Sequence, residues 1–224
     1  MMFLLKHLPN LLTTCNLVAG CMGISAVLNQ NVYLAAICIW IGLFFDFFDG
    51  FVARLLKVSS EMGKQLDSLA DMTTFGILPS VLLFTEMKEL SLGNTAYTAF
   101  LLAIFSAWRL AKFNIDIYQT YEFRGLPTPA NALFWSVMPF LKSYTYFVES
   151  WIFVALCILF SYLLVANIPL MALKFQNYSF KENLFRYIFL FLCLVMFLVL
   201  QVLAIPFIIL IYILISFIAN LQKL

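Results

Sequence analysis

Apolar runs of about 20 residues follow one another from one end of this chain to the other, each as long as a helix needs to cross a bilayer. Inside hydrocarbon every backbone N–H and C=O has to be satisfied within the segment itself, and a continuous apolar run does that as a helix. With 64% hydrophobic residues, 11% charged residues and a mean hydropathy of +1.01, the 224-residue chain leaves little material for a separate soluble domain. The expected fold class is therefore all-α, a polytopic helical bundle in a membrane. Eight candidate spans lie near residues 8–28, 31–53, 63–85, 94–115, 128–147, 150–172, 184–200 and 203–221. The last two come from one nearly unbroken run between Tyr187 and Asn220. As a single helix that run would reach about 50 Å, against a bilayer core of about 30 Å, so Gln201 and Pro206 mark an expected turn. The working architecture is a six-span core followed by a C-terminal hairpin.

Loop charge sets the orientation of such a bundle. With the N-terminus, the 2/3, 4/5 and 6/7 connections and the C-terminus on one side, that side carries Lys6, Arg54, Lys57, Lys64, Arg109, Lys112, Arg124, Lys174, Lys181, Arg186 and Lys223. The other side holds only Lys88 and Lys142. The basic side is expected in the cytoplasm. A net charge of +2 with no basic cluster gives no reason to invoke a nucleic acid. Cys15, Cys21, Cys38, Cys157 and Cys193 all sit inside apolar runs without a CxxC spacing and read as small buried hydrophobes. His7 is expected to be interfacial and solvated. Lys6 followed by an apolar stretch ending at Cys21 imitates a lipoprotein signal, but Pro9, Asn10, Thr13, Thr14 and Asn16 make its core too polar for one.

Against this apolar background one stretch stands out, FFDFFDGFVARLLKVSSEMGKQLDSLADMTTFGILP from Phe44 to Pro79. The chain has 11 acidic residues and puts four of them, Asp46, Asp49, Asp67 and Asp71, in or beside two spans. An acid at the centre of a spanning helix costs about 2.5–3.5 kcal/mol even on the lenient insertion scale, so their placement demands a function. Asp46 and Asp49 are i,i+3, and Gly63, Asp67 and Asp71 repeat at i,i+4, which turns each set onto one helix face. Two such faces brought together form an all-oxygen nest suited to hard divalent cations, Mg²⁺ or Mn²⁺. Interfacial salt bridges to Arg54, Lys57 and Lys64 would leave four acids to three bases. A phosphate-binding P-loop around Gly63-Lys64 fails because Val58 stands at the required first glycine and Gln65 at the Ser/Thr position.

Written out, the pattern is Asp46-x2-Asp49-Gly50-x2-Ala53-Arg54-x8-Gly63-x3-Asp67-x3-Asp71. It closely resembles the signature of the CDP-alcohol phosphotransferases, with every fixed position present. The resemblance implies two divalent metals held by Asp46, Asp49, Asp67 and Asp71, with the CDP pyrophosphate on the metals and Asp71 as the general base. The residues agree with that chemistry, since four carboxylates balance two dications and leave the pyrophosphate's charge to Arg54 and to Lys57 or Lys64, which lie close in sequence. Gly50, Ala53 and Gly63 let helix backbones and a nucleotide approach closely. The opening Leu8-Pro9-Asn10-Leu11-Leu12-Thr13-Thr14-Cys15-Asn16 resembles the first-helix element that the family places beside the nucleotide. The implied CDP-diacylglycerol contacts are Pro9, Asn10, Thr13, Asn16, Gly50, Ala53, Arg54, Ser60, Gly63 and Lys64.

The motif identifies the donor and leaves the acceptor alcohol open. Asp67-Ser68-Leu69-Ala70-Asp71 followed by Phe75-Gly76-Ile77-Leu78-Pro79 looks like the phosphatidylserine synthase branch, as do the blocks Arg109–Asn114 and Phe123–Ala130, with Lys112 standing where many relatives have Arg. The resemblance covers roughly residues 8–175, the implied catalytic core of a single integral-membrane domain over 1–224. The hairpin over 184–221 matches nothing in it. Zwitterionic serine asks for a cation facing its carboxylate and an acceptor facing its ammonium, and Arg109, Lys112, Asn114 and Arg124 lie at or after the end of the fourth span. Lys112 and Arg124 serve equally well as positive-inside anchors. The implied activity is transfer of a phosphatidyl group from CDP-diacylglycerol to L-serine, in a bacterial plasma membrane with the site on the cytoplasmic face, by a homodimer. Glycerol 3-phosphate or an inositol phosphate is the alternative acceptor. A carboxylate-based ion transporter is the rival from another class, and it lacks the paired repeats and broken mid-membrane helices expected of one.

Overall fold

The computed structural model describes residues 2–58, 60–115, 125–145, 151–168 and 184–221. These are helical almost throughout. Two long helices open the chain, α1 (Met2–Leu28) and α2 (Val32–Leu56), and lie against each other along their length. The link between them is tight. Gln30 takes a left-handed φ of 60°, and Asn31 caps α2 by accepting from Leu34 N at 3.1 Å. α2 stops where Lys57 turns left-handed, with Val58 N reaching back to Ala53 O at 3.0 Å.

Ser60 then caps α3 (Glu61–Asp71) by accepting from Gly63 N at 2.9 Å. α3 does not end at Asp71 but continues through a π-helical stretch, Met72–Ile77, into α4 (Leu78–Glu89), so one span runs from Glu61 to Glu89. The wider winding has a local cause. Pro79 has no N–H to return to the preceding turn, and Leu78 N bonds instead to Thr73 O, five residues back. α1 and α2 both press against this widened turn. A Cβ on Gly20 of α1 or on Gly42 of α2 would collide with Thr74, so only glycine lets both backbones press onto it.

A 3₁₀ turn (Gly93–Ala99) leads into α5 (Phe100–Ile115), followed after the loop by α6 (Thr128–Ser136), α7 (Met138–Thr145) and α8 (Trp151–Val165). The span expected over 128–147 is broken at Val137. Pro139 cannot donate to the previous turn, and Phe140 N bonds to Val137 O at 3.0 Å as the chain re-enters a helix. The span expected over 150–172 ends at Val165 in the described residues, where Leu163 O and Ile168 O accept from Leu126 N and Gly125 N at 2.8 and 2.9 Å. Gly125 has a φ of 75° and its Cα packs on the Leu164 carbonyl, a place with no room for a side chain.

The chain closes with α9 (Leu184–Leu200) and α10 (Ala204–Leu221). The expected turn is present, centred on Gln201, whose φ is 51°, and a 3₁₀ turn over Gln201–Leu203. Pro206 sits inside the first turn of α10, where its missing N–H is no loss. The rings of Phe189 and Tyr212 lie 5.7 Å apart, so α9 and α10 form a hairpin. Among the described residues five stretches are long and apolar enough to cross a membrane: His7–Leu28, Val32–Leu56, Glu61–Glu89, Gly93–Ile115 and Tyr187–Ile218, the last of them folded back on itself. Phe44, Phe47, Trp108, Tyr162 and Leu198 point outward, as suits side chains that face lipid. The interior has two apolar centres, one around Ile39, Phe75 and Leu78, the other around Leu102, Leu126, Trp135 and Phe160. The chain is an integral membrane helical bundle.

Candidate active site

The site lies where the C-terminal part of α2 meets α3, backed by α1. On α2 the i,i+3 spacing turns Asp46 and Asp49 inward, while Phe44, Phe47 and Phe51 occupy the outer surface. On α3 the i,i+4 spacing does the same for Asp67 and Asp71, with Met62 and Leu69 outside. One carboxylate oxygen from each of Asp46, Asp49 and Asp67 lies within 4.8 Å of the others. Asp71 stands one turn beyond Asp67 on α3, next to Asp46. Asp49 and Asp71 are buried, and Asp46 and Asp67 are half-buried.

α1 orients two of the four. Thr13 Oγ1 donates to Asp49 Oδ2 at 2.6 Å, and Asn16 Nδ2 donates to Asp71 Oδ1 at 3.2 Å. Asn16 is in turn clasped by the π-helical stretch, since Thr74 Oγ1 donates to its backbone carbonyl at 2.9 Å. The Asn16 Oδ1 atom is buried without a hydrogen-bond partner. The bases nearest in sequence are engaged elsewhere. Arg54 Nε bonds to Gly50 O at 2.9 Å, and Lys64 Nζ bonds to Asn114 O at 2.8 Å. Four carboxylates packed this closely in a weakly polarisable setting repel strongly, and a cation among them relieves that repulsion. The donor set is all oxygen, which fits a hard divalent ion. Asp46, Asp49, Asp67 and Asp71 are the residues that could hold it.

An open cleft of about 790 Å³ lies above the cluster. Eight of the ten residues expected at CDP-diacylglycerol line it, namely Pro9, Asn10, Thr13, Gly50, Ala53, Ser60, Gly63 and Lys64, with Asp49 and Asp67 in its floor. The other two are near but not in the wall. Asn16 lies beneath, holding Asp71, and Arg54 folds back onto the Gly50 carbonyl. A Cβ on Gly63 would come within 3.0 Å of both Asn10 Oδ1 and Ser60 Oγ, which explains glycine at that wall. Four further residues line the cleft, His7, Lys57, Val58 and Met62. His7 is exposed but belongs to the cleft rather than to open interface, and its i,i+3 and i,i+6 spacing to Asn10 and Thr13 was the signal for it.

The four residues expected at the acceptor have separate fates. Arg109 is buried on α5, donates from Nε to Leu126 O at 2.6 Å, and lies within electrostatic reach of Asp71. Asn114 ties the end of α5 to α3, donating to Ser68 Oγ at 2.9 Å while its carbonyl holds Lys64. Lys112 reaches away from the cluster to Asn167 Oδ1 at 2.9 Å. Arg124 lies outside the described residues.

Residues 6–163, more than half the chain and the whole of this site, match the family model for CDP-alcohol phosphatidyltransferase. The chain belongs to the CDP-alcohol phosphatidyltransferase family. Within the family it is similar to the CDP-diacylglycerol–serine O-phosphatidyltransferase of Bacillus subtilis (strain 168), 36% identical over 125 residues that cover 56% of this chain and 71% of that protein. It is similar also to the enzyme of the same name from Helicobacter pylori (strain ATCC 700392 / 26695), 32% identical over 193 residues, or 84% of this chain and 80% of that protein. A third of that name, from Saccharomyces cerevisiae (strain ATCC 204508 / S288c), is 34% identical over 139 residues, 55% of this chain and 50% of the relative. As a CDP-alcohol phosphatidyltransferase family member the chain has its acidic cluster and cleft inside the family match, and its C-terminal hairpin beyond it.

Proposed function

We propose that this chain transfers the phosphatidyl group of CDP-diacylglycerol to the hydroxyl of L-serine, giving phosphatidylserine and CMP. The observation that carries the reading is the junction of three things in one place: four converging carboxylates, an open cleft lined by two of them, and a buried arginine within electrostatic reach of Asp71. The similarity to three enzymes that bear this activity in their names supports serine as the acceptor.

In this reading the cytidine diphosphate lies in the cleft between α1 and the start of α3, against Asn10, Ser60, Gly63 and Lys64. Asp46, Asp49, Asp67 and Asp71 hold two divalent cations, Mg²⁺ or Mn²⁺, which supply positive charge to the pyrophosphate when bound. Arg109 meets the carboxylate of serine, and Asn114 is assigned as the acceptor for its ammonium. Asp71 takes the proton from the serine hydroxyl, held ready by Asn16. The serine oxygen bonds to the phosphorus that carries diacylglycerol. The bond from that phosphorus to the bridging oxygen breaks, and the bridging oxygen leaves with CMP. Lys112 and Arg124 are assigned to the acceptor side or to anchoring at the head groups.

The wider setting belongs to the same proposal. Residues 8–175 form the catalytic core and 184–221 an appended hairpin of one membrane domain, in the bacterial plasma membrane, with the cleft at the cytoplasmic face and two copies as the working unit. The deciding experiment gives the purified protein CDP-diacylglycerol with serine, glycerol 3-phosphate and inositol phosphate in parallel. Phosphatidylserine is the expected product, lost in excess EDTA and restored by Mg²⁺ or Mn²⁺. Product from another acceptor alone would reassign the branch, and full turnover in EDTA would remove the two-cation reading.

A further inference from the structure

The family match stops at residue 163, yet α10 is built into the core beside the acceptor arginine. Ile209 belongs to the same buried cluster as Leu126, Trp135 and Phe160, and Tyr212 packs against that cluster. Leu210, Ile213 and Leu214 face Gly125 and Leu126 across an apolar cavity of about 320 Å³. Leu126 is the residue whose carbonyl holds Arg109 Nε at 2.6 Å. Tyr212, packed against the cluster that contains Leu126, lies within electrostatic reach of the same arginine. Tyr212 is itself held on two sides. Its ring meets that of Phe189 on α9 at a centroid distance of 5.7 Å, and its hydroxyl is hydrogen-bonded to the fully buried Ser216 one turn further on.

A guanidinium has five donors in a rigid fork, and the Leu126 carbonyl accepts from Nε. With Asp71 near and both groups buried, the remaining fork is drawn towards that carboxylate. Such a collapse would occupy the donors needed for an incoming carboxylate and would engage Asp71 at the same time. A hydroxyl held by Ser216 within electrostatic reach of the guanidinium opposes it. We infer that Tyr212 is a positioning residue for the acceptor site, its hydroxyl steadying Arg109 so that the fork faces the carboxylate of the incoming amino acid. The inference rests on Arg109 meeting the acceptor's carboxylate, as proposed above. It gives the hairpin outside the family match a task in acceptor recognition.

The test uses the full chain in mixed micelles, with serine and CDP-diacylglycerol varied in turn. Tyr212→Phe removes only the hydroxyl and is expected to raise KM for serine about ten-fold while kcat and KM for CDP-diacylglycerol stay within about two-fold. Ser216→Ala releases the phenol and should raise KM for serine in the same direction by about three-fold. Phe189→Leu loosens the packing that holds the phenol's ring and should raise KM for serine by less than Ser216→Ala does, while lowering thermal stability and leaving KM for CDP-diacylglycerol in place. A serine KM within two-fold of wild type in Tyr212→Phe overturns the inference. Equal rises in both KM values also overturn it, since they would make Tyr212 a packing residue. If the wild type forms phosphatidylserine and Tyr212→Phe is silent, this inference alone falls; if the wild type forms none, the parent reading falls and takes this one with it.

Discussion

On the α1–α3 side of the aspartate cluster, the polar groups come from neighbouring helices that the chain lays down in order, and most are set by spacings of three or four residues. His7, Asn10 and Thr13 share a face of α1, Asp46 and Asp49 a face of α2, Gly63, Asp67 and Asp71 a face of α3. On the Arg109 side the groups come from far apart. The arginine is on α5, the carbonyl that holds it belongs to the loop before α6, and the hydroxyl beside it comes from α10. The first side is an open cleft that a cation and a nucleotide can fill; the second is buried and ordered by protein alone. A side built from adjacent helices is set by helical register, and each ligand carries its own share. A side built from distant segments is set by packing, and a fault in one member is passed to the others.

That contrast yields graded tests. Asp49→Asn strikes the open side at its floor and is expected to abolish donor binding together with turnover, as measured by CDP-diacylglycerol affinity at saturating Mg²⁺. Asp71→Asn strikes the point where the sides meet. It keeps an oxygen and nearly the same volume but loses basicity, so it should retain donor binding while single-turnover rate falls about 10²–10⁴-fold. Loss of donor binding as complete as in Asp49→Asn would erase the division of labour between the two carboxylates. Asn16→Ala removes the hydrogen bond that aims Asp71, worth about 1.5–3 kcal/mol when one partner is charged, and should lower turnover with donor affinity little changed. A fall in donor affinity that matches the fall in rate would mean that Asn16 serves the cleft instead. The smallest expected effect on activity is that of Lys88→Cys, made together with Lys57→Cys for labelling. Those two thiols should react from opposite sides of the membrane, since the residues stand at the cleft end and the far end of the bundle. Reaction of both from one side would overturn the proposed orientation.

The membrane bundle was legible in the sequence because apolar run length is a direct response to bilayer thickness. The aspartate nest was legible because i,i+3 and i,i+4 spacings convert straight into shared faces. The break at Val137 was missed because apolar residues run on through it, while the interruption comes from what Pro139 lacks. Both Gln201 and Pro206 were expected at the last turn, and the work falls to Gln201 because proline is at home in a first helical turn. Asn16 could be read as a polar residue in an apolar helix, but its partner Asp71 depends on which face of α1 meets α3. Tyr212 could not be read at all. One tyrosine in an apolar run has no periodic partner, and its neighbour is chosen by the way the hairpin folds back.

The π-helical stretch between α3 and α4 has a consequence for how this chain tolerates change in length. A turn that holds one extra residue sets the helix back by one step of about 100° around its axis. The segment before it is thereby aimed at the carboxylate nest, and the segment after it aims Leu78 and Leu82 into the apolar centre. Removing a single residue between Met72 and Ile77 would let the span wind evenly, and its two halves would then disagree about which way is inward. A one-residue deletion there swings Asp67 and Asp71 off the face that Asp46 and Asp49 present.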